Sequence, residues 1–434
     1  MDKALLRKTA MQSVALMIAV VVLSYSMNNY HTIVMAASSF ISSGSEPTKA
    51  VVQGKVSAKA AGGGNLLAAG LMEHLREEPA DIPITDVASL KLHINEAVLD
   101  QLGDNFLAIR KPKGGQLSME LTDLYIKHSI RLDFSGVSDP ELTSSMVYRV
   151  RGDKLFKDDP LYTEVISYEE QDDTGGKEQV ITRDYGEDLS HGITIATKQE
   201  PDSKQYSVQL LLELDTVYAY TVFEDSAYYY ISLKKPSEAY DKILVIDPGH
   251  GGKDAGAVAR NNKDYEKDIN LGIALELKKL LDQQNIKVYY TRTGNDTVFL
   301  RPRSNLANAV DCDYFISIHC NSNSVSYPNG TEVLFHDARV KGVSNRDLAD
   351  LFSEELSKAI PLKKKGSIEK NPEDIFIMGQ AKVPMVLLEV GYLSNSGDLD
   401  YLLDQENQKA VAQGIYNGIL RAYEELPAAG QEEN

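Results

Sequence analysis

Hydrophobic and polar positions along the chain change rhythm at several points, and each rhythm predicts a different kind of structure. Near the start, Lys3, Arg7 and Lys8 precede the apolar stretch VALMIAVVVL from Val14 to Leu23. A positive flank followed by a run of that length marks an export signal, and its extension toward Met27 nearly reaches the length of a spanning helix. Residues 1–41 therefore read as a signal peptide or a retained membrane anchor. From Ser42 to Asn65 the chain is rich in Ser, Ala, Gly and Lys and has no aromatic residue. Such a stretch buries too little surface to order itself, and residues 42–81 read as a flexible linker.

Residues 82–236 alternate in short β-branched and aromatic runs: LKLHI, FLAIR, SIRLDF, MVYRVRG, EVISYEE, QVITRDY, GITIATK and YSVQLLLELDTVYAYTVFED. Turns of Gly, Asp, Pro and Ser separate them. That spacing predicts a sandwich or barrel, a β-rich accessory domain. The tyrosines of VYAYTVFEDSAYYYISL suit a strand pair around Glu224–Asp225. Core and cross-strand packing explains them better than an aromatic glycan-binding face.

After Pro236 strands and helices alternate. KILVIDPG (242–249) is an apolar strand. In KDINLGIALELKKLLDQQN (267–285), Ile269, Ile273, Leu277, Leu280 and Leu281 share one helical face. IKVYYTR, DYFISIHCN, TEVLFH and PMVLLEVGYL read as strands. LRPRSNLANAV, SNRDLADLFSEELSKAI (with Ser344 as N-cap) and NQKAVAQGIYNGILRAYEEL read as helices. This alternation predicts a second domain over 240–427, an α/β sheet covered by helices on both faces, followed by a short tail at 428–434.

Composition adds bounds. A net charge of −18 argues against nucleic acid as a partner. Two cysteines make no disulfide framework. Cys312 and Cys320 flank one predicted strand, which sets them roughly 26 Å apart at about 3.3 Å per residue, so both are expected as free thiols.

The candidate chemistry sits at strand ends. His250, His319 and Glu389 each lie at or near the end of a predicted apolar strand, and Glu266 lies just before a helix. In open α/β sheets active residues gather at the carboxyl ends of strands, so four segments can converge there. Two imidazoles and a carboxylate suit a zinc ion with an open position for water. Spacing leaves open which carboxylate binds and which reacts. A lone Glu389 inside the apolar run VLLEVG is costly to bury unless it is paired or functional. The glycine-rich turn DPGHGGKDAG lacks both the phosphate-binding motifs and an immediate helix N-terminus, which disfavours a phosphate. Asp247 reads equally as a group orienting His250 or as a turn cap. Arg301, Arg303, Asn305 and Asn308 share one helix, where salt bridging and capping explain them at least as well as substrate binding. His336 reads as a surface residue at a strand end.

The segment from about Lys242 to Leu426 resembles the zinc-dependent N-acetylmuramoyl-L-alanine amidases of bacterial cell walls. IDPGHGGKDAGA, YEKDINL, TRTGNDTVFLRPRSNLAN, FISIHCNSN, GTEVLFH and PMVLLEVGYLSN occur in that family's order and approximate spacing. The resemblance implies a twisted, mainly parallel sheet and peptidoglycan as substrate, and with the N-terminal signal or membrane anchor it points to extracytoplasmic action in the cell wall. It implies that His250, Glu266 and His319 bind Zn²⁺ and that Glu389 is the catalytic glutamate. Cys320 stands where the family usually has a small residue. KKKGSIEKNPEDIFIM departs from the family's usual Arg-Gly pair. The resemblance does not extend over residues 82–236. A zinc peptidase cutting stem peptides and a non-catalytic wall-binding regulator are the alternative readings, and no protein regulator is implied.

Overall fold

The computed structural model describes residues 49–53, 83–111, 117–138, 147–155, 163–170, 177–184, 190–199 and 204–426. The expected signal or anchor (1–41), most of the expected linker and the 428–434 tail lie outside them. No helix among the described residues is long and apolar enough to cross a membrane.

The β-rich part contains two antiparallel sheets. The larger has seven strands, in the order Lys49–Gln53, Ser118–Leu124, Ser129–Val137, Tyr206–Leu214, Ser190–Gln199, Lys177–Asp184 and Thr163–Glu170. The smaller has five: Ala219–Glu224, Tyr228–Lys234, Asn105–Arg110, Val147–Arg151 and Lys154–Leu155. Leu107 and Ile231 of the smaller sheet share a core with Met119, Leu132 and Leu210 of the larger, which makes a sandwich. Two expectations are corrected here. Lys49–Gln53 falls within the expected linker, yet it pairs antiparallel with Ser118–Leu124. An open sheet edge offers unpaired backbone groups, and the extended pair Val51–Val52 can take them up. LKLHI was expected as a strand, but Val87–Lys91 and Glu96–Leu102 are helices, the first with a capping box between Asp86 and Ser89. The apolar spacing Val87, Leu90, Ile94 is helical, and these residues cover the outer face of the smaller sheet against Phe106 and Tyr230. The strand pair around Glu224–Asp225 forms as expected. Tyr228, Tyr229 and Tyr230 are buried, which supports the packing explanation for them.

The α/β part is a six-stranded sheet. Its strands are β1 (Ile243–Pro248), β2 (Lys287–Tyr290), β3 (Tyr314–Asn321), β4 (Thr331–Phe335), β5 (Lys364–Glu369) and β6 (Met385–Tyr392). The spatial order is β2-β1-β3-β6-β4-β5. β2, β1, β3 and β6 are mutually parallel, while β4 runs antiparallel to β6 and parallel to β5. The helices are α1 (Glu266–Leu281), α2 (Leu300–Ala309), α3 (Asn345–Ala359), α4 (Phe376–Gln380), α5 (Ser396–Leu403) and α6 (Gln405–Glu425). Ile269, Ile273 and Leu277 of α1 join Phe352 of α3 and Ile415 of α6 on one face of the sheet. Leu306 of α2 and Ile377 of α4 cover the other. The expected mainly parallel sheet flanked by helices is present. Ser344 caps α3 through its side chain, as its position suggested. β5 was missed because its lysine-rich sequence carries little apolar signal.

The two parts share packing at the β2 edge. Tyr125 lies in a 3₁₀ turn of the β-rich part; its hydroxyl donates to Tyr290 O at 2.9 Å and accepts from Tyr290 N at 3.2 Å. Those bonds pair an edge strand that would otherwise present open backbone groups.

Candidate metal centre

The parallel strands bring their carboxyl ends to one rim of the sheet. β1 delivers the turn that follows Pro248. His250, Gly251 and Gly252 take φ values of 61°, 133° and 58° in succession. Positive φ is uncommon for histidine, and a strained residue of this kind persists only where its surroundings hold it. Here two buried arginines do so. Arg303 of α2 donates to Asp247 Oδ1 at 2.6 Å, Pro248 O at 2.9 Å and His250 O at 2.7 Å. Arg292 donates to Pro248 O and Gly249 O, both at 2.9 Å. Glycine is needed at Gly256, where φ is +68° and an added Cβ would come within 2.6 Å of Glu266 Oε2.

Around this turn the structure gathers the two imidazoles and a carboxylate. His250 Nε2 lies 3.1 Å from Glu266 Oε2, and His319 Nδ1 lies 2.9 Å from Glu266 Oε1. One ligand atom from each of His250, Glu266 and His319 lies within 4.8 Å of the others. Glu266 is the first residue of α1, where the helix end favours negative charge. Its carboxylate also accepts from Ala257 N at 2.8 Å and Cys320 N at 3.1 Å. Burial opposes its charge, but the hydrogen bonds to both imidazoles outweigh it and hold the group well below the usual carboxylate range. His250 Nδ1 lies 2.8 Å from Asp254 Oδ2. A carboxylate on one ring nitrogen fixes a histidine's orientation and leaves the other nitrogen for a metal. Despite burial, Glu266 and Asp254 raise the His250 pKa.

Glu389 stands on β6 in register with His319 of β3 on one side and Glu332 of β4 on the other. Paired positions in neighbouring strands share a face of the sheet. Its Oε2 is buried without a hydrogen-bond partner. Burial first, then the Glu266 and Glu332 carboxylates, push its pKa well above the ordinary value. A carboxylate in this state readily takes a proton. Glu332 is itself neutralised by Lys365 and accepts from the Tyr392 hydroxyl at 2.7 Å.

All four predicted site residues thus meet at one rim. The supporting groups were less legible. Asp247 does not touch the His250 ring. It is buried among Thr291 at 2.6 Å, Ser317 at 2.7 Å and Arg303, and it is linked to the histidine turn through Arg303, which also bonds His250 O. The ring is oriented by Asp254, which sequence reading missed although it stands four residues on in HGGKD. Arg303 is buried, contrary to the reading as a surface residue, because it bonds the carbonyls of the histidine turn. Asn308 instead ties α2 to the end of α4 at Gln380 O (2.9 Å) and to the loop after it at Lys382 N (2.7 Å). His336 follows β4, whose antiparallel course takes it to the opposite edge. Cys312 and Cys320 are buried free thiols.

The donor set fits a zinc ion. Two imidazoles and one carboxylate, oriented by further hydrogen bonds, are the ligands of water-open catalytic zinc sites. Residues 244–421 match the family described as N-acetylmuramoyl-L-alanine amidase. The chain is 34% identical over 184 residues to protein YqiI of Bacillus subtilis, a match covering 42% of this chain and 86% of that one. It is 34% identical over 184 residues to the N-acetylmuramoyl-L-alanine amidase CwlM of Bacillus licheniformis, covering 42% and 68% respectively. It is 35% identical over 188 residues to the probable cell wall amidase LytH of Staphylococcus aureus, covering 43% of this chain and 60% of that relative.

Proposed function

The chain belongs to the N-acetylmuramoyl-L-alanine amidase family, and from that premise we propose that it cleaves the amide between N-acetylmuramic acid and L-alanine of peptidoglycan with zinc as cofactor. The observation that carries this reading is the convergence of His250, Glu266 and His319 beside a carboxylate whose Oε2 is buried and unpaired. These three side chains would hold the ion. A zinc ion supplies a Lewis acid that polarises the scissile carbonyl and makes a water acidic. Asp254 fixes the orientation of the His250 ring through Nδ1, which leaves Nε2 for a metal, and Arg303 and Arg292 hold the turn in its strained shape. Glu389 accepts the proton of the attacking water. The same carboxyl then returns the proton to the departing L-alanine amine, acting as base and acid in turn. Substrate of this kind lies outside the cytoplasmic membrane, so the reading places the enzyme there.

Digestion of purified peptidoglycan followed by mass spectrometry tests the proposal. Release of intact stem peptides with new L-alanine amino termini, stopped by a chelator and restored by zinc, is the expected result. Fragments cut within the stem peptide would make the enzyme a peptidase instead. No product under any metal would leave a wall-binding protein.

A further inference from the structure

The loops that leave the metal rim are unusually apolar on the outside. Three loops follow the parallel strands β1, β2 and β3 at their carboxyl ends: residues 249–265, 291–299 and 322–330. Each brings a pair of exposed apolar side chains to the rim: Val258 and Tyr265, Phe299 with Leu300 at the start of α2, and Val325 and Tyr327. Together they are most of the exposed large hydrophobic residues among the described residues. Phe299 and Tyr327 are the most exposed of all, at 75% and 78%. A singly exposed apolar side chain needs no explanation, but this clustering on one edge does.

These residues do not sit on slack loops. Thr297 Oγ1 accepts from Lys253 N at 2.9 Å, and Asn295 Oδ1 accepts from Gly252 N at 2.9 Å, which fixes the Phe299 loop to the His250 turn. Asn395 Nδ2 donates to Ser326 O at 2.9 Å, and Ser394 Oγ accepts from Asn323 N at 3.1 Å, which fixes the Tyr327 loop to the segment after Glu389. Val258 and Tyr265 pair across a bridge just before Glu266. In the strand order, Phe299 follows β2 on one side of the ligand-bearing strands β1 and β3. The Tyr327 loop runs from β3 across the end of β6 to β4 on the other. At about 4.8 Å per strand, the strands β2 and β4 that bound these two loops lie roughly 15–20 Å apart across the rim.

We infer that Phe299 and Tyr327 are glycan-binding residues: two apolar platforms that receive sugar rings of the same strand on either side of the metal centre. The inference rests on the peptidoglycan reading above and adds where the polymer lies. Sugar rings present apolar C–H faces between hydroxyl and N-acetyl groups, and an aromatic ring with one open face suits them. The surrounding exposed side chains include the uncharged amides Asn261, Asn262, Asn295 and Asn323. The same loops also expose Lys253, Arg260 and Lys263, with Arg301 next to Leu300, so anionic vesicles are the competing probe in the test, against a chain whose net charge is −18.

The test uses the full chain carrying Glu389→Gln, so that binding is read without turnover, and peptide-free glycan strands as the probe. Phe299→Ala and Tyr327→Ala are each expected to weaken binding about tenfold, which corresponds to one lost platform. Phe299→Tyr and Tyr327→Phe should retain it, and Leu403→Ala, exposed elsewhere on the α/β part, should leave it unchanged. Unchanged affinity in the double alanine variant overturns the inference. So does an equal loss in Leu403→Ala, or loss of binding to anionic vesicles with glycan affinity intact. Failure of the amidase reading itself would appear separately, as absence of product from the unmodified enzyme.

Discussion

The β-rich part and the α/β part both bury continuous apolar cores, and they differ in the polar groups they bury. Among the described residues of the β-rich part, Arg149 is buried and consumed by structure, donating to Phe106 O and to Asn105 Oδ1, and Asp123 is shielded from solvent near Lys287. In the α/β part Asp247, Glu266, Arg292, Arg303 and Glu332 are buried toward the carboxyl ends of the strands, while Glu276, Glu355 and Asp398 are buried on α1, α3 and α5. Burying charge is costly unless it is paired and hydrogen-bonded. One part limits that cost. The other places much of it at one rim, where it holds a strained histidine turn. The contrast teaches that apolar burial holds both parts together, while the chemistry depends on how polar burial is distributed.

The sharpest way to break the comparison is at the rim itself. His250→Ala should lose both bound metal and activity. Glu389→Gln should keep metal while turnover falls roughly 10²–10⁴-fold. Metal content by elemental analysis beside product release separates the two, and a fully active Glu389→Gln would remove Glu389 from its role. Next, Arg303→Met leaves Asp247 buried and unpaired. It should cost about 3–5 kcal/mol of stability in denaturant titration. Metal affinity should also drop by roughly 10–100-fold. Adding Asp247→Asn should recover part of the stability, and an additive double variant would show that the pair is not coupled.

Smaller effects belong to the β2 edge. Tyr125→Phe removes both bonds to Tyr290 and should cost about 1 kcal/mol, with little change in metal affinity. Asp123, beside it, gives a pH-dependent test. Burial pushes its pKa up to about 6 from 3.8, against the pull of Lys287. A raised carboxyl pKa means that the folded state favours the protonated form. The associated stability is therefore present below about pH 4 and lost as pH rises through about 6. Asp123→Asn should melt about 2–4 °C higher than the unmodified chain at pH 7.5, with the gap closing below pH 4. A lower melting temperature at pH 7.5 would show that attraction to Lys287 outweighs burial.

The sequence by itself determined the alternation of strands and helices after Pro236 and singled out the four residues that meet at the rim. Strand periodicity and the position of a polar residue at a strand end are local signals that survive in one dimension. It also placed the strand pair at Glu224–Asp225 and the cap at Ser344. Tertiary structure alone decided the rest. The reversed direction of β4 sent His336 away from the rim, because direction depends on which neighbour a strand pairs with. The partner of the His250 ring turned out to be Asp254, and Asp247 went to Arg303. Sequence gives no distance between a side chain on α2 and a turn after β1, so a buried arginine there looks the same as a surface one. The helix at Val87–Lys91 and the strand at Lys49–Gln53 were likewise settled by the sheet that each covers or extends, since short segments take the conformation that their surroundings satisfy best.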